Sequence, residues 1–128
     1  MQIQLLFPYI CPKKTDTMKK LHVLWTTGEK EVALRMIFVY LMNSKANGWW
    51  DEINLIVWGP SAKLLGEDTK IQEELDILLQ SGITVEACRA CTDSYNVTEK
   101  LTKMGLTVRL MGAPFTEYLN SGDKLITF

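Results

Sequence analysis

Short apolar runs alternate with amphipathic segments along most of the chain. Five runs rich in apolar and β-branched residues predict strands, at residues 21–26, 53–58, 83–88, 106–111 and 124–128. The segments between them predict helices at 29–46, 62–65, 67–81, 96–104 and 115–120. Because strand and helix alternate, the pattern predicts an α/β fold, with a mainly parallel five-stranded sheet and helices on both faces.

Two helix starts carry capping signals. Ser61 follows a Gly-Pro pair and is predicted to cap the short helix at 62–65. Asn96 and Glu99 are spaced like a capping box, which predicts that the fourth helix opens there.

Residues 36–42 (M-I-F-V-Y-L-M), within the first predicted helix, are apolar on every face. A helix that is apolar all round is buried all round. One face can cover the sheet, and the other needs a second cover, most simply another copy of the protein. The alternative is that residues 1–20 cover it within the monomer. The pattern therefore predicts a homo-oligomer, with burial by the N-terminal residues as the competing interpretation.

The first 20 residues are predicted to be an N-terminal extension, followed by a single domain at residues 21–128. Their charges follow the apolar part, unlike those of a secretory signal. Ile3, Leu5 and Phe7 alternate with other residues, which favours a short additional strand. The alternative is an appendage with no part in the core.

The composition of the chain argues for one globular domain and against nucleic-acid or membrane partners. The chain has 128 residues, 47% of them hydrophobic and 23% charged, which is typical of one globular domain. A net charge of -1 and the absence of a long basic run argue against nucleic acid as a partner. No apolar run approaches the roughly 20 residues that cross a membrane. Three cysteines, an odd number, favour a reducing cytoplasm over a disulfide framework.

The carboxyl ends of parallel strands meet at one edge of a sheet, where ligands and reactive groups gather. Three of the predicted strand ends consist of small residues, which let a ligand or a partner chain approach the backbone. The predicted binding cleft is formed by Thr27, Gly28, Gly59, Pro60, Ser61 and Gly112.

Two cysteines lie at the carboxyl end of the third predicted strand. Cys88 ends the third strand and Cys91 comes one helical turn later, so both are candidate reactive thiols. Arg89, and a helical segment expected after Cys88, favour a thiolate at Cys88, whereas Glu86 on the same strand face opposes it. The pair could form a disulfide, share a metal or resolve a persulfide. The alternative is that both are small buried hydrophobic residues.

Metal binding and a cysteine–histidine dyad are both disfavoured. His22 starts the first strand and lies roughly 16–20 Å from the reactive edge, at about 3.3 Å per residue, so we predict a structural role for it. A single C-x-x-C supplies half of a tetrahedral zinc site, with only His22 and Cys11 as further soft ligands. No phosphate-binding glycine loop is present. We predict no metal and no cofactor.

Several motifs together resemble a known family. They are Thr26-Thr27-Gly28, W-G-P-S-A-K-L-L at 58–65, V-E-A-C-R-A-C at 85–91, and G-A-P-F-T-E-Y-L at 112–119, which K-L-I-T-F follows at 124–128. In this order and spacing they are similar to the DsrE/DsrF-like family, over about residues 19–128.

The resemblance implies a three-layer α/β/α sandwich assembled as trimers or hexamers, and a role in intracellular sulfur trafficking. In the sulfur-relay members, including those similar to TusD, a cysteine at the end of the third strand carries sulfur as a persulfide. Cys88 matches that position, whereas Cys91 is not a feature of those relay proteins. The implied function is a sulfurtransferase-type carrier with donor and acceptor proteins as partners. The alternative is an oligomeric binding module with inert cysteines.

Overall fold

The computed structural model describes residues 18–128, which form one parallel sheet and the helices around it. The strands are β1 (Lys20–Trp25), β2 (Glu52–Val57), β3 (Thr84–Cys88), β4 (Thr107–Arg109) and β5 (Lys124–Thr127). Their order across the sheet is β4-β3-β2-β1-β5, and every neighbouring pair is parallel. The predicted α/β class with a five-stranded parallel sheet is confirmed. The predicted N-terminal extension and its additional strand fall almost wholly outside the described residues.

Six helices connect the described strands. Helix α1 is continuous and is α-helical at Lys30–Val32, π-helical at Ala33–Ile37 and α-helical again at Phe38–Asn47. The others are α2 (Pro60–Glu67), α3 (Thr69–Gln80), α4 (Arg89–Ser94), α5 (Thr98–Met104) and α6 (Gly112–Asn120). Nothing in the sequence pattern predicted the π-helical turn.

The direction of each crossover decides which face its helices cover. From β1 to β4 the chain steps in one direction across the sheet, so right-handed crossovers bring α1 to α5 to the same face. The last crossover returns from β4, at one edge, to β5, at the other. Helix α6 therefore lies on the opposite face, where it is the only helix among residues 18–128. The result is the expected three-layer sandwich, with a third layer one helix thick.

The two faces carry different cores. On one face, side chains such as Val23, Trp25 and Leu55 pack against α1 to α5 in a large apolar core. On the other face, Ile56, Cys88 and Met111 form a small buried group, which we call the Cys88 cluster. Since the described residues form only this small core on the second face, the rest of that face carries polar side chains such as Asn54 and Glu86.

Both predicted capping signals are wrong. Ser61 lies inside the first turn of α2, whose N-cap is Gly59, and its hydroxyl donates to the Trp25 carbonyl at 2.5 Å. Val97 is the N-cap of α5, and no side chain caps it. Asn96 has a φ of 60° and so belongs to the preceding left-handed turn. The hydroxyl of Ser61 joins α2 to β1 instead of satisfying its own helix.

The boundaries of the fourth strand and of the last helix also differ from the prediction. Strand β4 covers three residues, Thr107–Arg109, and Leu110 is 65% exposed instead of continuing it. Helix α6 begins at Gly112, three residues before the predicted start, because Met111 is its N-cap. Met111 is fully buried, so the chain turns into α6 directly above the Cys88 cluster.

The apolar segment of α1 is buried on one side within the described chain. Ile37, Phe38 and Leu41 are buried against the sheet. Met36 and Val39 are 53% and 49% exposed, respectively, and Tyr40 is also exposed. What covers this exposed side, a second copy or the N-terminal residues, stays a prediction.

Asp68 caps α3, and replacing it should destabilise the fold. Its Oδ1 accepts from the Ile71 amide at 3.0 Å, and its Oδ2 lies 2.9 Å from Lys30 Nζ. The Ile71 amide and then Lys30 lower the pKa of Asp68 below its usual 3.8. We expect Asp68→Ala to lower Tm by about 5 °C at neutral pH. The Tm of Asp68→Asn should lie between those of the wild type and Asp68→Ala.

The deficit of Asp68→Ala should be pH-dependent. A carboxyl whose pKa falls on folding stabilises the protein above its unfolded pKa and loses that effect as pH falls through the folded value. Thermal melts of the wild type and Asp68→Ala should therefore converge below pH 3.8. A gap that keeps its neutral-pH size well below pH 3.8 would contradict the assignment.

Candidate functional site

Cys88 is the last residue of β3, as predicted, and it is buried. Only 4% of the residue is exposed, and its neighbours in the Cys88 cluster are Ile56 and Met111. Phe115 and Tyr118, both on α6, pack over this cluster. The position at the carboxyl end of a central strand suits a reactive group, but in this conformation the sulfur is covered by α6.

Cys91 lies in the first turns of α4 and is more accessible than Cys88. It is partly buried, and the Gly59 amide donates a hydrogen bond to its Sγ at 3.3 Å. Its side chain also packs against the Cys88 cluster. Both thiols are free. Cys91 is therefore the outer member of the pair and Cys88 the inner one.

The loops after β1 and β2 meet beside Cys91. The Ser61 amide donates to the Thr26 carbonyl at 3.0 Å. A Cβ placed on Gly28 would lie 3.3 Å from the Pro60 Cβ, so the two loops approach closely where a side chain would crowd them. Gly59 has a φ of 83°, a conformation that favours glycine, and this turn directs its amide toward Cys91.

The other predicted site residues have separate surroundings. The Thr27 hydroxyl accepts from the Glu29 amide, so it supports the start of α1. Arg89 is exposed, and its guanidinium donates to the Val108 carbonyl at 3.3 Å. Gly112 is exposed at the first position of α6. The structure thus brings Gly28, Gly59, Pro60 and Ser61 to the cysteine edge, whereas Thr27, Arg89 and Gly112 make contacts elsewhere.

A buried polar network, which the sequence analysis largely missed, lies next to the Cys88 cluster on the same face. Glu86 is 6% exposed, and its Oε1 accepts from the Tyr118 hydroxyl at 2.6 Å and from Asn54 Nδ2 at 3.0 Å. Its Oε2 accepts from the guanidinium of Arg109, which also donates to the Tyr118 hydroxyl at 3.1 Å. We call these four residues, with His22, the Glu86 network.

His22 is the innermost member of the Glu86 network. It is fully buried, lies 2.9 Å from Asp123 through Nε2, and stacks on Tyr118 with ring centroids 4.0 Å apart. The Glu86 carboxylate can only accept, so the Asn54 side chain faces it with its NH2 group. The same Nδ2 atom has a second hydrogen, which it donates to His22 Nδ1. In this arrangement His22 Nδ1 accepts from Asn54, and His22 Nε2 donates to Asp123. Its role is structural in this conformation.

The network holds Glu86 as an anion. Burial raises the pKa of Glu86, but the hydrogen bonds from Tyr118, Asn54 and Arg109 outweigh burial and hold it below its usual value. Burial, and the hydrogen bond donated to Glu86, raise the pKa of Tyr118. Burial lowers the pKa of Arg109, but the Glu86 carboxylate more than offsets this and raises it. The lowered pKa of Glu86 and the raised pKa of Arg109 are both those of a carboxylate paired with a cation.

The sequence did contain a signal for this network. Asn54 and Glu86 lie in the buried parts of β2 and β3 between apolar neighbours, and a polar residue within a buried strand requires a partner. The partners could not be identified in the same way. Arg109, Tyr118 and Asp123 come from β4, from α6 and from the turn before β5, and only the fold brings them together.

Two concave surfaces flank the network and the sheet edge. A polar cavity of about 300 Å³ opens between Glu86, Arg109 and Lys20, where α6 does not cover the sheet. An apolar groove of about 370 Å³ lies between Tyr40 of α1 and Ile126 of β5, the edge strand. The first follows from the single-helix third layer, and the second adjoins the exposed side of α1.

Metal-ligand clusters and membrane-spanning helices are both absent from residues 18–128. No group of three or more His, Cys, Asp or Glu side chains there could hold a metal ion. No helix in the same range is long and apolar enough to cross a membrane.

Fold and site together define an α/β sandwich with a cysteine pair at the carboxyl edge of a parallel sheet. The model of the DsrE/DsrF-like family matches residues 19–128. The chain therefore belongs to the DsrE/DsrF-like family. No curated protein matches the chain.

Three solved structures are similar to this chain. BT1422 from Bacteroides thetaiotaomicron, a conserved protein of unknown function, is 47% identical, with a TM-score of 0.84 over 86% of this chain and 95% of its own. The ychN protein from E. coli is 18% identical, with a TM-score of 0.61 over 88% of this chain and 100% of its own. MTH1491 from Methanobacterium thermoautotrophicum, of unknown function, is 11% identical, with a TM-score of 0.68 over the same shares. The last two show the fold alone.

Proposed function

We propose that this protein traffics sulfur and carries sulfane sulfur as a persulfide on Cys88. The observation that carries the proposal is the position of Cys88, at the carboxyl end of a central strand with a second free thiol one turn away. Membership of a family related to sulfur relay supports it. The partners would be one protein that donates the sulfur and one that accepts it.

The transfer needs no oxidant or reductant. The Cys88 thiolate attacks the outer sulfur of a donor persulfide, an S–S bond forms at Cys88, and the donor's S–S bond breaks. The donor leaves as a thiolate and takes up the proton that Cys88 lost when it ionised. An acceptor thiolate later attacks the same outer sulfur, and Cys88 leaves as a thiolate. The transferred sulfur keeps its oxidation level in both steps.

Intact-mass spectrometry tests the proposal. After incubation with inorganic polysulfide and removal of the excess, the wild type should gain the mass of one sulfur atom. Cys88→Ser should gain none at this site, and Cys91→Ser, the matched control, should still be loaded. A wild type that gains nothing, or a Cys88→Ser variant that keeps the full gain, would contradict a carrier role for Cys88.

A binding module with inert cysteines is the second candidate, and one observation favours it. Cys88 is 4% exposed among apolar neighbours, as expected of a small buried hydrophobic residue. A protein of this kind would use the strand-end loops at Gly28, Gly59 and Pro60 to hold a small ligand or a partner. Loss of sulfur loading in Cys88→Ser, with retention in Cys91→Ser, would rule this reading out.

We also propose a homo-oligomer, a trimer or hexamer, that buries the exposed side of α1. Exposed apolar residues there include Met36, Val39 and Trp49. Light scattering at micromolar concentration should give a multiple of 14.6 kDa. Val39→Glu should shift the mass toward the monomer. Ile77→Glu, at a residue of α3 that is 48% exposed, is the matched control and should not. A wild-type mass of 14.6 kDa would contradict the proposal.

A further inference from the structure

We infer that helix α6 gates access to Cys88, and that Tyr118 is the side chain that holds this gate closed. The functional meaning of the gate rests on the proposed carrier role, because a buried thiol has to become accessible before it can accept or deliver sulfur. The gate itself is a property of the fold, and it can be tested without any sulfur transfer.

Helix α6 is the part of the cover over Cys88 that is least held by packing. None of its nine residues is buried, and Leu119 is 58% exposed. By contrast, α3 buries Ile71, Leu75 and Leu78 on the other face. Segments with few buried apolar contacts open at a lower free energy than the global unfolding transition. Helix α6 should therefore open while the rest of the sandwich stays folded.

Two aromatic side chains attach α6 to the sheet. Phe115 packs edge-on against Trp58, with ring centroids 5.3 Å apart. Tyr118 makes the more specific contacts, since its ring stacks on His22 and its hydroxyl donates to Glu86 at 2.6 Å and accepts from Arg109. Both rings also pack over the Cys88 cluster. Releasing Tyr118 would break the polar attachment of α6 and uncover the sulfur in one movement.

The chain on either side of α6 is anchored, which lets the helix move without separating from the fold. Met111, at its N-cap, is fully buried. Strand β5, after it, pairs with β1, and the amide of Phe128 donates to the Leu24 carbonyl at 2.8 Å. Gly112 and Gly122, at the two junctions, have open space around them. The junctions can therefore flex between two fixed points.

Cysteine alkylation separates the gate from general unfolding, because the two thiols fall on different tryptic peptides. Cleavage after Lys70, Arg89 and Lys100 leaves Cys88 on residues 71–89 and Cys91 on residues 90–100. The rate at which each peptide is labelled by iodoacetamide under native conditions can be followed by mass spectrometry. Cys91 is the internal reference, since global unfolding would expose both thiols together.

The informative variant is Tyr118→Phe, which keeps the ring and removes only the hydroxyl. Because a hydrogen bond to a charged group is lost, Cys88 labelling should rise about tenfold, while Cys91 labelling stays within about twofold. Tyr118→Ala should give a larger rise, on the order of a hundredfold, because the stacked ring is lost as well. The matched control is Tyr40→Phe, which removes a hydroxyl that accepts from Trp50 on the other side of the sheet. It should change neither rate.

Amide hydrogen exchange gives a second readout. In Tyr118→Phe, exchange across Gly112–Asn120 should quicken relative to that of β1, whereas Tyr40→Phe should leave it unchanged. Unchanged Cys88 labelling in Tyr118→Phe, or a rise shared equally by Cys88 and Cys91, would overturn the gate. Such a result would leave the sulfur-loading experiment unaffected, so the two proposals fail separately.

Discussion

Replacing Glu86 with alanine is expected to lower the free energy of unfolding by about 2–3 kcal/mol at pH 7, because three donors lose their shared acceptor. Asn54, Arg109 and Tyr118 all donate to this carboxylate. Breaking a fully buried ion pair costs about 3–5 kcal/mol, but the Arg109 side chain is 46% exposed and can be rehydrated, so we expect a smaller loss. Urea denaturation measures the difference directly.

The matched variant is Glu86→Gln, which keeps the size of the side chain and removes its charge. Its deficit at pH 7 should be about 1–2 kcal/mol. The folded-state pKa of Glu86 lies below its usual 4.5, so the carboxylate stabilises the fold above that pH, and the effect is lost as pH falls through the folded value. The wild type and Glu86→Gln should therefore converge below pH 4.5. A deficit that grows in acid would contradict the assigned charge state.

Replacing Gly66 with alanine is expected to cost about 2 kcal/mol, although alanine is the better helix former. Gly66 lies in α2, and an added Cβ would be 2.3 Å from Val97 Cγ1 and 2.8 Å from Val97 Cβ. Val97 is β-branched and 6% exposed, so it has little freedom to move aside. Overpacking should therefore outweigh the roughly 1 kcal/mol gained from helix propensity. Urea denaturation also measures this variant.

A double-mutant cycle with Val97→Ala isolates the clash. Removing the two methyl groups takes away the 2.3 Å contact with Cγ1 and leaves the 2.8 Å contact with Val97 Cβ. The double variant should therefore recover part of the loss and be more stable than the sum of the single changes implies, by at least about 1 kcal/mol. Gly122→Ala is the control, because open space surrounds Gly122, and it should stay within about 0.5 kcal/mol of the wild type. Additive single effects would mean that Val97 is not the obstacle.

The layout of the sheet and the place of Cys88 within it could be predicted because both depend on local pattern. The runs that became β1, β2 and β3 are five or six residues long, are mostly apolar, and end near glycine or at the cysteine itself. Since parallel strands carry their ends to one edge, the meeting of Gly28, Gly59 and Cys91 followed from the strand assignments. The caps were less predictable, because the Ser61 hydroxyl bonds to the distant Trp25 carbonyl and Asn96 adopts a left-handed φ of 60°.

The burial of Cys88 could not be predicted, because it depends on a non-local pairing. Helix α6 crosses the sulfur only because β5 pairs with β1 at the far edge of the sheet, and no local pattern specifies that pairing. The same crossover brings Tyr118 to His22 and Glu86. Glu86, taken from the sequence as a charge that opposes a Cys88 thiolate, is instead paired with Arg109.

The most direct test of the account is to locate the added sulfur in the wild-type protein. After loading with polysulfide and blocking of free thiols, tryptic digestion without reductant separates residues 71–89, with Cys88, from residues 90–100, with Cys91. If Cys88 carries the persulfide, the extra sulfur will be found on the peptide at 71–89. Sulfur found only on the peptide at 90–100, or on neither peptide, would contradict it.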